Sequence, residues 1–326
     1  MKVQDGEKVS RAKLWDKILL AREAYQSFND EEWKALKEYE KVGYVFETHP
    51  FYGTRWNVAE SVDQLRREEC EAWQRLVGLE WPWEVYVYDT VTSTNDEALR
   101  ASEAVEWGIF AANHQTKGRG RRDRRWDSSS SGGLYFSLVV DKKNFGLPAS
   151  LITTGIGVAV YDALSKWMPP FMTLKWPNDL IVYHRKLAGI LVERQMGSGS
   201  HFSEDGKVVI GIGVNIHQKE EEWDETLKGR AISLRMVRGR SDDLRKAEVL
   251  MQIVKACERV FKMDAGEVRA AWHRRCTDLE RIVMVVQEDG RYQGRFLGLT
   301  EDGALLLVDD QGVTRQFWAG DCSLVQ

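Results

Sequence analysis

Residues 115–126 read Gln-Thr-Lys-Gly-Arg-Gly-Arg-Arg-Asp-Arg-Arg-Trp and set five arginines between positions 119 and 125. Such a run cannot enter an apolar core, so the fold must leave it on a loop that faces water or an anion. Gly118 and Gly120 are expected to let the backbone take positive φ and approach a ligand, while guanidinium forks bind carboxylate and phosphate oxygens in pairs. The formal net charge of the whole chain is −4. The positive charge is therefore local and calls for a local anion. By itself the run reads as a solvated basic loop or a nucleic-acid patch. Its neighbours favour a flap that closes on a polyanion.

A chain of 326 residues has room for two or three domains, and 43% hydrophobic with 29% charged residues is an ordinary globular balance. The apolar stretch 151–164 contains Thr, Gly and Asp, too mixed and short to span a bilayer. The first residues, Met-Lys-Val-Gln-Asp-Gly-Glu, lack a signal-peptide core. A cytoplasmic protein without a membrane partner is expected. Cysteines 70, 257, 276 and 322 are widely spaced, which suggests neither a zinc site nor a disulfide framework.

Residues 1–80 are rich in helix formers. Ser10 is a candidate cap for a helix carrying Leu14, Ile18, Leu19 and Ala21. Asn29-Asp30 would cap a second, carrying Trp33, Leu36 and Tyr39 and ending near Gly43. Strands at 44–48 and 54–57 form a hairpin, a third helical stretch covers 59–76, and 78–82 is a boundary. Further on, strands are predicted at 85–88, 108–114, 132–140, 173–176, 180–183, 186–194 and 208–216, with helices at 96–103, 148–167 and 245–263. From 281 the pattern turns to short strands with turns at Asp289-Gly290, Asp302-Gly303 and Gln311-Gly312. The fold class is α+β. It comprises a mainly helical N-terminal domain with a β-hairpin (1–80), a mixed sheet backed by helices (81–275) and a small antiparallel barrel (276–326).

Three motifs follow one another: Gly118-Arg-Gly-Arg121, Lys175-Trp-Pro-Asn-Asp179 and Lys186-Leu-Ala-Gly-Ile-Leu191. Each is weak alone. Together they resemble the biotin protein ligases, over about three quarters of the chain from Val85 onward. The resemblance implies a class II synthetase-like catalytic domain and, from Gly294-Arg-Phe-Leu-Gly298 onward, an SH3-like C-terminal domain. It also implies ATP and biotin as substrates with Mg2+. Biotin's carboxylate attacks the α-phosphate to give biotinyl-5'-AMP, and a lysine of a biotin carboxyl carrier protein, or of that domain in a biotin-dependent carboxylase, takes the acyl group. Residues 1–80 resemble, in degenerate form, the winged helix of the family's repressor branch, with Ser10-Arg11-Ala12 where a recognition helix would start. Their 13 Lys+Arg against 16 Asp+Glu disfavour DNA. A homodimer is implied by resemblance alone. The rival readings are a bifunctional ligase and biotin-operon repressor, and a lipoate ligase.

The resemblance also assigns residues. Two anions must be brought together, so the site needs cations. Arg119, Arg121, Lys175 and Lys186 are the catalytic candidates. Biotin would be held by Ser93, Thr94, Asn95, Gln115, Arg119, Gly120, Arg121, Lys186, Gly189 and Leu191. The adenylate would meet Arg119, Arg121, Trp126, Lys175, Asn178 and Asn215, and Asp179 would organise magnesium. Bland alternatives stand beside several of these: a plain helix cap at 93–95, a surface lysine at 186, a core indole at 126. Every matched motif lies beyond residue 80, so adenylation is expected to be independent of the first 80 residues. Asp123 occupies the third glycine position of the family's flap.

Overall fold

The computed structural model describes residues 3–128, 131–144, 146–168, 170–194, 206–240 and 243–325. Helices α1 (Val3–Leu20) and α2 (Asp30–Glu40) precede a hairpin of β1 (Phe46–His49) and β2 (Gly53–Trp56), and α3 (Arg67–Val77) follows. Asn29 caps α2 through a reciprocal box with Glu32, as its sequence suggests. Ser10 does not stand at a helix start: it lies inside α1. Residues 59–66 are not helical, because their polar groups are engaged across the fold. The Leu65 N–H donates to Asn113 Oδ1 at 2.8 Å, and the Asp63 carboxylate accepts from the Lys246 N–H at 2.9 Å. Gly78 ends α3 at φ 66°, a conformation a Cβ would oppose.

The central sheet has seven strands: β3 (Glu84–Val91), β4 (Trp107–Gln115), β5 (Gly133–Asp141), β6 (Met172–Lys175), β7 (Asp179–Val182), β8 (Arg185–Arg194) and β9 (Lys207–Asn215). Their spatial order is β3-β4-β5-β9-β8-β7-β6, with β3 and β4 parallel and every other pair antiparallel, hence a mixed sheet. Period-two alternation divides its faces. Phe110, Val139 and Val209 pack against Ala98 of α4 (Thr94–Ala101). Ile109, Leu138, Val208 and Ile210 face the main core, which α5 (Ala149–Leu164) and α7 (Lys246–Phe261) cover. A five-residue α6 (Leu234–Arg238) precedes α7. Helix α8 (Ala265–His273) packs on α5 and was not anticipated, although Asp264 and Glu267 form a capping box that the sequence displays.

The last five strands, β10 (Ile282–Val286), β11 (Arg291–Leu299), β12 (Leu305–Val308), β13 (Thr314–Phe317) and β14 (Asp321–Leu324), form one antiparallel sheet in the order β13-β12-β11-β10-β14. The apolar core runs unbroken from Leu14 and Trp15 through Leu250 to Phe317 and Cys322, so both flanking units share a core with the central sheet. Among the described residues, no helix is long and apolar enough to cross a membrane.

Candidate active site

One cleft gathers most of the residues singled out from sequence. It encloses about 770 Å³, counting the solvent at its mouth. Its floor is the junction of β8 and β9, where Gly189 faces Gly213 and Leu191 faces Gly211. A Cβ on Gly189 would stand 2.8 Å from the Trp126 ring, and one on Gly213 would overlap that indole. A Cβ on Gly211 would overlap the Asn95 amide. These glycines are needed for close approach of side chains to the sheet.

One end of the cleft is a neutral hydrogen-bonding network. Gln115 Oε1 accepts from the Thr94 N–H at 2.8 Å, and Gln115 Nε2 donates to Ser128 Oγ at 3.1 Å. Ser137 Oγ lies 2.8 Å from Thr94 Oγ1 and 2.5 Å from Asn95 Oδ1. Ser93 occupies the N-cap position of α4 without a side-chain bond to the helix.

The arginine segment forms a tight hairpin over the other end. Arg119 bridges Arg125, Gly120 N–H donates to Arg124 O at 2.7 Å, and Trp126 N–H donates to Gly118 O at 3.0 Å. The expected positive φ at Gly118 and Gly120 is not found. It falls instead on Arg122 (53°) and Asp123 (56°), where the hairpin turns. Gly118 serves close packing, since a Cβ there would overlap Ser128 and the Trp126 carbonyl.

Lys186 reaches Asp179 Oδ1 at 2.7 Å and stands 5.2 Å from the Trp126 ring centre. Arg121 has no carboxylate within ion-pair distance among the described residues. Its NH1 donates to Asn178 Oδ1 at 3.2 Å, while Asn178 Nδ2 donates to Ile190 O at 2.8 Å. Burial, reinforced by Arg122, lowers the Arg121 pKa below the ordinary arginine value. Arg124 and, at 3.9 Å, Arg122 pair with Asp321 of β14. In all, Arg119, Arg121, Arg124, Arg125 and Lys186 line the cleft against Asp179 and Asp321. The lining is strongly positive and suited to a polyanion.

Two expected residues are not brought in. Lys175 closes β6 outside the cleft lining, with its charge acting on Asp278. Asn215 is buried behind the floor, where its Nδ2 donates at 3.2 Å to the carbonyls of Lys186 and Ile232. The residues that sequence reasoning missed are Ser137, Glu193, Asp96, Gly211, Gly213 and Asp321. Glu193 was legible: two steps beyond Leu191, it shares the strand face of Gly189 and Leu191. Asp321 was not, since only tertiary packing sets β14 beside the flap.

Three buried polar atoms without a hydrogen-bond partner belong to cleft residues: Arg119 Nε, Trp126 Nε1 and Asp179 Oδ1, the last meeting Lys186 as an ion pair. Orphans gathered in one cleft are what a ligand would satisfy.

The fold is that of the biotin/lipoate ligase class. Residues 85–215 match the "Biotin/lipoate A/B protein ligase family" and residues 278–325 the "Biotin protein ligase C terminal domain". The bifunctional ligase/repressor BirA of Escherichia coli is 30% identical over 242 residues, 74% of each chain. That of Bacillus subtilis is 27% identical over 303 residues, 90% of this chain and 88% of its own. The Aquifex aeolicus biotin protein ligase in complex with biotin and ATP superimposes with a TM-score of 0.62 at 28% identity, covering 74% of this chain and 99% of that one. The chain belongs to the biotin protein ligase family.

Proposed function

We propose that the chain is an ATP-dependent biotin protein ligase that forms biotinyl-5'-AMP and passes the biotinyl group to a lysine of a biotin carboxyl carrier protein or domain. The observation that carries this reading is the cleft itself, with a neutral hydrogen-bonding end at Ser93, Thr94, Asn95, Gln115 and Ser137 beside an arginine- and lysine-lined end. The neutral end suits an uncharged ureido ring, and Leu191 over the Gly211 and Gly213 floor suits the apolar bicycle. At the charged end a carboxylate oxygen attacks the α-phosphorus and the bond to pyrophosphate breaks. Negative charge that builds on the phosphoryl oxygens is met by Arg121, which has no carboxylate partner among the described residues, and by Lys186. Trp126 offers a ring face for adenine, and Asn178 orients Arg121. In the second step the carrier's neutral amine attacks the acyl carbon, AMP leaves with the bonding pair, and the amine sheds a proton.

Asp179, whose Oδ1 pairs with Lys186 at 2.7 Å, would release that lysine to hold a magnesium ion brought by the nucleotide, which would neutralise phosphate charge. Asn215 keeps its contribution indirect, by holding the Lys186 carbonyl. We assign Lys175 no ligand contact. The divisions 1–80, 81–275 and 276–326 are proposed as domains, with a winged-helix-like first and an SH3-like last. A cytoplasmic location and a homodimer accord with the family. A repressor role is a second reading, favoured because similarity to BirA of B. subtilis covers 90% of this chain, and opposed by the acidic balance of residues 1–80.

Incubation with ATP, magnesium and either biotin or lipoate, with pyrophosphate release followed, tests the main reading. Release with biotin is expected. Release with lipoate alone would overturn it.

A further inference from the structure

Arg119 differs from every other arginine of the flap. Its NH2 lies 2.9 Å from Asp96 Oδ1 and 2.7 Å from Glu193 Oε2, so one guanidinium stands between two carboxylates. The group of three carries a net negative charge, which leaves Arg119 compensated and held while Arg121 is not. Glu193 Oε2 also accepts from Asn95 Nδ2 at 2.6 Å, and Asn95 Oδ1 faces Ser137 Oγ at 2.5 Å. The Asn95 amide is thereby oriented from both sides, its NH2 toward the Glu193 carboxylate and its carbonyl toward the Ser137 hydroxyl. Glu193 thus ties the base of the flap, at the Arg119 and Arg125 bridge, to the network that runs through Ser137 and Thr94 to Gln115.

We infer that Asp96 and Glu193 form a two-carboxylate socket for Arg119, and that Glu193 is a positioning residue that sets the flap over the reacting groups. The catalytic half of this inference rests on the ligase reading; the socket itself does not. The side chains of Asp96, Arg119 and Glu193 are 33%, 36% and 26% exposed, so the pairs are screened only in part. Arg119 is consequently a hinge pin for the flap and not a cation for phosphate. That assigns phosphate contact to Arg121, and to Lys186 once a ligand draws it from Asp179.

Glu193→Gln keeps an oxygen for Asn95 and removes the charge that holds Arg119. In the ligand-free full chain, tryptic nicking within residues 117–125, followed by mass spectrometry, is expected to run about three- to tenfold faster than in the parent at an unchanged melting temperature. Asp96→Asn should give a smaller increase, and Glu193→Gln should add nothing in an Arg119→Gln background. Equal nicking in Glu193→Gln and parent would overturn the socket. Should Glu193→Gln not fold, Asp96→Asn against the parent decides the same question. Release of preformed biotinyl-adenylate should also quicken about three- to tenfold. Equal release from a parent that does form adenylate would overturn the positioning role. A parent that forms none would overturn the ligase reading and leave the socket to the nicking result.

Discussion

Arg245 is fully buried at the start of α7, and among the described residues each hydrogen-bond and ion-pair partner of its side chain comes from the first 80. Its Nε and NH2 meet the two Glu69 oxygens at 2.9 and 2.8 Å, its NH1 donates to Val62 O at 2.7 Å, and NH2 lies 3.2 Å from the Tyr44 hydroxyl. Asp63 stands 3.5 Å away, and the Tyr44 and Trp56 rings lie 5.2 and 4.9 Å from the guanidinium carbon. Glu69 is itself fully buried and accepts from the Tyr44 hydroxyl at 2.7 Å. Glu69→Gln therefore strands a buried cation. Breaking such a pair costs about 3–5 kcal/mol, and because Asp63 remains we expect about 3. For a chain of this size that is a fall of roughly 4–5 °C in melting temperature. Glu69→Leu with Arg245→Met should be much closer to the parent, since both charges leave together. Deleting residues 1–80 removes every partner at once and uncovers α7, so the shortened chain is expected to aggregate, against the independence inferred from motif positions. Calorimetry of the three proteins checks this. A chain of residues 81–326 that melts within about 2 °C of the parent and adenylates biotin at the parental rate would refute the reasoning.

Four other outcomes are expected. Lys186→Ala should stay folded, its side chain being 36% exposed, yet lose about a hundredfold or more in pyrophosphate release at saturating substrates; an unchanged rate would make it a surface lysine. Gly213→Ala pushes a methyl into Trp126 and should weaken adenylate binding by about 1–3 kcal/mol in a calorimetric titration, with Trp126→Ala in the same chain relieving the clash. Asp123→Gly removes a left-handed strain of about 1 kcal/mol and should slow adenylate release a few-fold at most, with the difference shrinking in salt if charge contributes. Burial would raise the Asp63 pKa, but Arg245, the hydrogen bond from His217 and Lys246 outweigh it and hold the carboxyl well below its usual range. Its stabilisation is thus complete above the unfolded value of about 4 and lost as pH falls below it. Asp63→Asn should melt lower at pH 7 and lose less on acidification than the parent.

The site was legible wherever chemistry lies close along the chain. The flap, the Lys186 strand and the Thr94 helix start each carry their residue types within a few positions, and alternation along β8 even marks Glu193. Local rules likewise placed the Asn29 cap, the buried α5 and the turns of the last sheet. They failed where a distant partner decides. Residues 59–66 have helical composition, but their polar groups bind Asn113, Arg245 and Lys246. Ser10 looks like a cap only while the residues before it are not known to be helical. The motif marked Arg119 as a cation without showing that two carboxylates claim it, and it included Lys175 without showing that β6 keeps it outside the cleft. Nor does any local pattern tell that Arg245 draws its counter-charges from residues 44–69. Sequence by itself determined which side chains carry charge, hydrogen-bonding capacity and strand periodicity. Only the tertiary structure decided which charges are already neutralised, because compensation depends on distances of a few ångströms between groups far apart in the chain.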